Sequence, residues 1–188
     1  IAIDAGAKSP ADGYTLLMTT SGTVSQNRVL YTKLPYNLDK DLTPIANFPS
    51  GPLVVGVGDK VPARNFREFV EFARNNATTM GTYAPGSYPH MVADQTNRTE
   101  GTKIVSAHYR GEAPMWTGLA EGTLDVAMGS YTAAQSVLGS NNGVVFAVHS
   151  KKVAAIPDMK TLPEQGATSK FFTVSGFTGW ALPKATPQ

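Results

Sequence analysis

The stretch KIVSAHYRGEAPMWTGLAEGTLDVAMGSYTAAQSVLGSNNGVVFAV, residues 103–148, decides the fold. It reads as three short apolar runs separated by two helical spacers. Lys103–Ala107, Leu124–Met128 and Val144–Val148 are strand-length runs bounded by turn residues. Glu112–Glu121 has a helical pattern, with Pro114 tolerated in its first turn and Gly122 after its end. Tyr131–Leu138 is a second short helix, followed by a Ser140-Asn141-Asn142-Gly143 turn. Strand and helix in alternation predict an α/β fold, with a parallel sheet covered by helices on both faces.

Outward from this core the same grammar continues. Upstream, Phe66, Phe69, Val70 and Ala73 fall at i, i+3, i+4 and i+7, with Asn65 at the N-cap and Glu68 three residues later. Leu53–Val57 and Tyr14–Met18 read as strands, and Thr23–Tyr31 as a helix. Downstream, Thr161 to Glu164 forms a second capping box closed by Gly166. Ile1 to Ala7 reads as the tail of an apolar-faced helix with no capping residue before it.

Composition narrows the function classes. The 188 residues suffice for one domain or two small lobes. Sixteen Lys and Arg against fourteen Asp and Glu leave +2, with no basic run, which argues against nucleic acid as a partner. The absence of cysteine excludes disulfides, thiolate metal sites and cysteine nucleophiles. His90, His108 and His149 are scattered and form no zinc signature. No G-x-S-x-G elbow, Walker motif or dinucleotide fingerprint is present, so no cofactor is expected.

Ligands of open α/β sheets bind beyond the carboxyl ends of the strands. Four loops there are rich in Gly, Ser, Thr and Tyr: 19–23, 84–90, 108–111 and 129–132. Each leads into a helix and so presents backbone N–H groups at the positive end of its dipole, suited to an anion. Arg110 is the guanidinium of this set, either a bidentate carboxylate clamp or a surface partner of Glu112. Tyr88, Tyr109 and Tyr131 either line a pocket or pack. These residues leave open a solute-binding receptor, an α/β enzyme on a carboxylated or phosphorylated metabolite, and a ligand-sensing partner of a signalling protein.

Several ordered motifs resemble one family. Pro10 to Leu17 (PADGYTLL) and Thr20-Ser21-Gly22-Thr23 resemble the PDGYTLL…TSGT block of the tripartite tricarboxylate transporter receptors, the TctC-like or Bug-type extracytoplasmic solute-binding proteins. Leu30 to Tyr36, His108 to Pro114, Gly122 to Val126, Ile156 to Gly166 and Gly179 to Pro183 follow in register. The resemblance implies a periplasmic-binding-protein-like (type II) two-lobed fold that closes on a small carboxylate: a dicarboxylate, tricarboxylate, acidic amino acid or aromatic acid. It implies permease subunits as membrane partners and a periplasmic location, and no catalysis. The lobes it suggests are 1–58 with a return strand at 171–188, and 59–170. Carried over, the ligand-binding residues are Ser21, Gly22 and Thr23 on the first lobe, and Gly86, Ser87, Tyr88, Tyr109, Arg110, Gly111 and Ser130 on the second.

Departures from the family pattern carry their own expectations. Tyr88 and Pro89 replace small hydroxyl residues before His90, which predicts a narrower, more apolar site suited to an aromatic acid. The family's opening strand with its carboxylate loop, and its closing helices, have no counterpart within residues 1–188. The first lobe is therefore expected to be truncated at both ends, to lack its export signal, and to self-associate through uncovered apolar faces.

Overall fold

In the computed structural model, residues 2–138, 143–150 and 152–187 are described; the turn expected at 140–143 falls largely outside them. In chain order the strands are β1 (Leu17–Thr20), β2 (Leu42–Pro49), β3 (Leu53–Val57), β4 (Thr78–Thr82), β5 (Ile104–His108), β6 (Val126–Ser130), β7 (Val144–Val148) and β8 (Phe177–Pro183). The α-helices are α1 (Ala2–Ala7), α2 (Asn27–Leu30), α3 (Leu38–Asp41), α4 (Phe66–Asn75), α5 (Tyr88–Glu100), α6 (Glu112–Ala120) and α7 (Tyr131–Leu138). The chain divides into two compact units, Ile1–Ser50 with Ser175–Gln188, and Gly51–Val174.

The first unit is a three-stranded antiparallel sheet in the order β1-β8-β2. Ile3 of α1 packs with Leu17, Leu42 and Ala181 on one face. Strand alternation turns Met18, Trp180, Ala46 and Phe48 to the other face. There Met18 and Phe48 are 63% and 48% exposed, so this apolar face lies open. The π-helical turn Gly22–Gln26 runs directly into α2, covering most of the helix expected at 23–31.

The second unit is a five-stranded sheet in the order β5-β4-β6-β3-β7. β4, a strand the sequence pattern does not announce, pairs in parallel with β5 and β6. β3 is the exception, lying antiparallel between β6 and β7. A helix between two strands permits them to run parallel but does not require it. β3 is joined to β4 through α4 and still runs opposite to it, inserted between β6 and β7 where it completes both antiparallel ladders. β3 thus belongs to the second unit's sheet, whereas the sequence reading ended its first segment at 58.

Helices cover both faces. Val55, Val57, Met80, Val126 and Met128 face Phe66, Phe69, Val70 and Ala73 of α4 and Val92 and Ala93 of α5. Val54, Ala127 and Val148 face Met115, Trp116 and Leu119 of α6 and Ala134 of α7. The switch from Val54 to Val55 is the two-residue period of a strand buried on both sides. Trp116 and Phe172 are fully buried, and truncating either to Ala would cost about 3–5 kcal/mol. The α4 start forms as its sequence demands. Asn65 Oδ1 accepts from Glu68 N at 3.0 Å, and Glu68 Oε2 accepts from Arg64 N at 2.7 Å.

Candidate functional site

Because β4 lies in parallel between β5 and β6, the three strands end on one edge of the second unit. The loops that leave them carry seven of the sequence-predicted site residues: Gly86, Ser87 and Tyr88 after β4, Tyr109, Arg110 and Gly111 after β5, and Ser130 at the end of β6. Ser21, Gly22 and Thr23 belong to the first unit.

The loop after β4 is built to start a helix. Gly86 takes φ of 69°, a left-handed turn that glycine adopts without strain. Its N–H donates to His90 Nδ1 at 2.9 Å, one turn into α5. Ser87 is the N-cap by position, in extended backbone at φ −67° and ψ 164°, yet its side chain makes no capping hydrogen bond. Its Oγ is buried without a hydrogen-bond partner among the described residues. The serine at the head of this thirteen-residue helix thus leaves its hydroxyl out of the cap.

Tyr88 is placed differently from the ring expected to line the site. Its ring stacks on Phe171 at 5.1 Å and 15°, and meets His149 edge-on at 4.8 Å. Its hydroxyl lies 2.5 Å from His149 Nε2 and donates to Phe171 O at 2.7 Å. Burial raises the Tyr88 pKa and pulls that of His149 down to about 4, so both are neutral at pH 7.

After β5, Tyr109 half-buries against the α6 face, its hydroxyl over Gly118, where a Cβ would come within 2.7 Å. Gly111, at φ 112°, turns the chain into α6. Arg110 is exposed and takes part in none of the ion pairs among the described residues. The pairing with Glu112 that the sequence allowed does not form. Glu112 Oε2 instead accepts from Ser130 N at 3.0 Å and Ser130 Oγ at 2.5 Å, tying the heads of α6 and α7 together. Burial and the nearby Glu112 carboxylate push the Tyr83 hydroxyl up to about 12.

A histidine pair completes the edge. His108 Nδ1 lies 2.6 Å from Thr82 Oγ1, and its ring meets His90 edge-on at 4.6 Å. Burial, then His90, lowers the His108 pKa. Glu112, Tyr83 and the histidine contacts carried no local sequence signal beyond their proximity to the loops. Among the described residues no group of three His, Asp or Glu side chains could hold a metal ion. Beside the cation of Arg110 the edge thus carries N–H and O–H groups together with the Glu112 carboxylate, whose charge is met by the Ser130 amide and hydroxyl.

In the first unit Thr23 spends its hydroxyl locally, accepting from Thr20 N at 3.0 Å and donating to Thr20 O at 2.9 Å. Ser21 Oγ and Ser50 Oγ crowd over Gly176, where a Cβ would come within 2.8 and 3.2 Å of them. Gly22 opens the π-helical turn.

Residues 1–188 match the family model described as the tripartite tricarboxylate transporter family receptor. A protein from the TAR-I ttuE-ttuC' intergenic region of Agrobacterium vitis is 31% identical over 185 residues, covering 96% of this chain and 52% of its own length. The structure of R. palustris Rpa4515 with adipate superposes with a TM-score of 0.90 at 26% identity, over 100% of this chain and 63% of that one. MatC from Rhodopseudomonas palustris, with bound malate, shares the fold at a TM-score of 0.79 and 24% identity, over 99% of this chain and 64% of that one. The chain thus spans about half the length of the Agrobacterium relative and under two thirds of the solved ones.

Proposed function

Since this chain belongs to the tripartite tricarboxylate transporter receptor family, a family of solute-binding receptors and not of enzymes, we propose that it forms part of a periplasmic receptor that captures a small carboxylate. The ligand's carboxylate sits on the strand edge of the second unit, taking the Ser87 hydroxyl, the backbone amides at the head of α5 and the Arg110 guanidinium. Dicarboxylates come first in the candidate class, with tricarboxylates, acidic amino acids and aromatic acids behind them. The loaded receptor presents the ligand to membrane permease subunits.

The observation that carries this reading is the buried Ser87 Oγ at the N-terminus of α5, which has no hydrogen-bond partner among the described residues. A hydroxyl without a partner is costly unless something completes it, and the helix dipole favours an anion at that point. The adipate bound to the R. palustris relative shows a ligand of this class on a similar chain. Ser21, Gly22 and Thr23 of the first unit are assigned to ligand binding on the strength of the family motif. The open apolar face of the first unit supports self-association of residues 1–188.

A thermal-shift screen of the chain against a panel of carboxylates, with matched amines and sugars as controls, tests the proposal. Ligand at 100 times Kd adds roughly 2.7 kcal/mol. Stabilisation by carboxylates and not by the controls supports the reading; a flat response to every carboxylate overturns it.

A further inference from the structure

The polar chain at Tyr88 is more than packing. The Phe171 carbonyl can only accept, so the Tyr88 O–H donates to it at 2.7 Å. The Tyr88 oxygen is then left to accept from His149, whose Nε2 at 2.5 Å must carry the imidazole proton. The sequence of donors is fixed: His149 Nε2–H to Tyr88 O–H to Phe171 C=O. Burial keeps the imidazole neutral.

Its ends reach both points where the chain passes between its units. His149 is 3% exposed, and its own backbone N–H donates to Leu53 O at 2.8 Å. Leu53 lies just after the first passage, at 50–51, and Phe171 just before the second, at 174–175. Tyr88 is the residue next to Ser87, so the chain runs from both passages to the head of α5.

We infer that Tyr88 is a positioning residue: with His149 it locks the α5 head, and the Ser87 hydroxyl on it, to both chain passages, so that carboxylate affinity depends on a hydroxyl that does not touch the ligand. Linked hydrogen bonds of this kind polarise one another and favour a single geometry. The inference rests on the reading of Ser87 as an anion ligand, and it also stands on a consequence visible without ligand. Tyr88 departs from the small hydroxyl residue of the family pattern, so the lock is a property of this chain's own sequence.

Nitrogen-15 NMR on the ligand-free chain, wild type and Tyr88→Phe, provides the test. Wild-type His149 at pH 7 is expected as the Nε2–H tautomer. Tyr88→Phe keeps the ring stack on Phe171 but should shift the Ser87 and Leu53 amides together and lower adipate affinity about tenfold. His149→Gln, which keeps a side-chain N–H donor, should retain more affinity than His149→Ala. An Nδ1–H tautomer in wild type, or a Tyr88→Phe variant with wild-type affinity and unmoved Ser87 and Leu53 amides, overturns the inference. If neither protein binds adipate or any other carboxylate while the tautomer and amide shifts appear as expected, the lock stands and the carboxylate reading falls.

Discussion

Replacing Ser87 with alanine should separate stability from binding, with opposite signs. At an ordinary N-cap, Ser→Ala removes a side-chain hydrogen bond to the helix and costs about 1 kcal/mol. Ser87 makes no such bond, so nothing of that kind is lost. Its hydroxyl is buried and has no hydrogen-bond partner among the described residues, and a buried polar group in that state costs about 1–3 kcal/mol. The variant should therefore be more stable than wild type without ligand, by about 1 kcal/mol, or a rise of about 2–4 °C in Tm for a chain of this size. A hydrogen bond to a charged group contributes about 1.5–3 kcal/mol, so carboxylate binding should weaken by about 10- to 150-fold. Urea unfolding gives the first quantity and isothermal titration the second. A Ser87→Ala variant destabilised by more than about 1 kcal/mol would show that the hydroxyl caps the helix after all; unchanged affinity would remove it from the ligand's partners.

Arg110→Ala should leave stability within about 0.5 kcal/mol, because the side chain is exposed and takes part in none of the ion pairs among the described residues. Titration should show a loss of about 1.5–3 kcal/mol in carboxylate binding, and a loss under about 0.5 would make Arg110 a surface residue. Acid should weaken the fold through His149: its folded pKa of about 4 lies below the unfolded 6.5, so the unfolded state binds the extra proton between those values. Stability is then intact above pH 6.5 and falls by up to about 3 kcal/mol as pH drops toward 4, and denaturant melts in His149→Gln should show a shallower slope across that window. Residues 1–188 should self-associate in sedimentation experiments, and Met18→Lys on the open face should shift the protein toward monomer.

What the sequence made legible follows from how local each signal is. β3, α4 and α7 formed where their patterns put them, because apolar period and capping chemistry act within a few residues. β4 went unread because Thr78 to Thr82 has one large apolar side chain, and its burial is satisfied by threonine hydroxyls bonded to Asn76 O and His108. Gly81 looks like a turn residue there, yet a Cβ on it would come within 2.5 Å of Leu124 Cδ1; the glycine is needed for packing. β2 was hidden by Pro44 and Pro49, which fit because it is an edge strand with a bulge between residues 44 and 46. The direction of β3 leaves no local trace at all. At the site, the strand-end loops were readable from their small hydroxyl residues. The partners of Tyr88 were not, since Phe171 is 83 residues away and His149 is 61.

The most direct test of carboxylate capture on the second unit's strand edge is a titration of the nitrogen-15-labelled chain with adipate, following backbone amides. Saturable shifts centred on Gly86, Ser87, Gly111 and Ser130 are the predicted result. Shifts confined to α4 or to the first unit's sheet, or none at any adipate concentration, would contradict it.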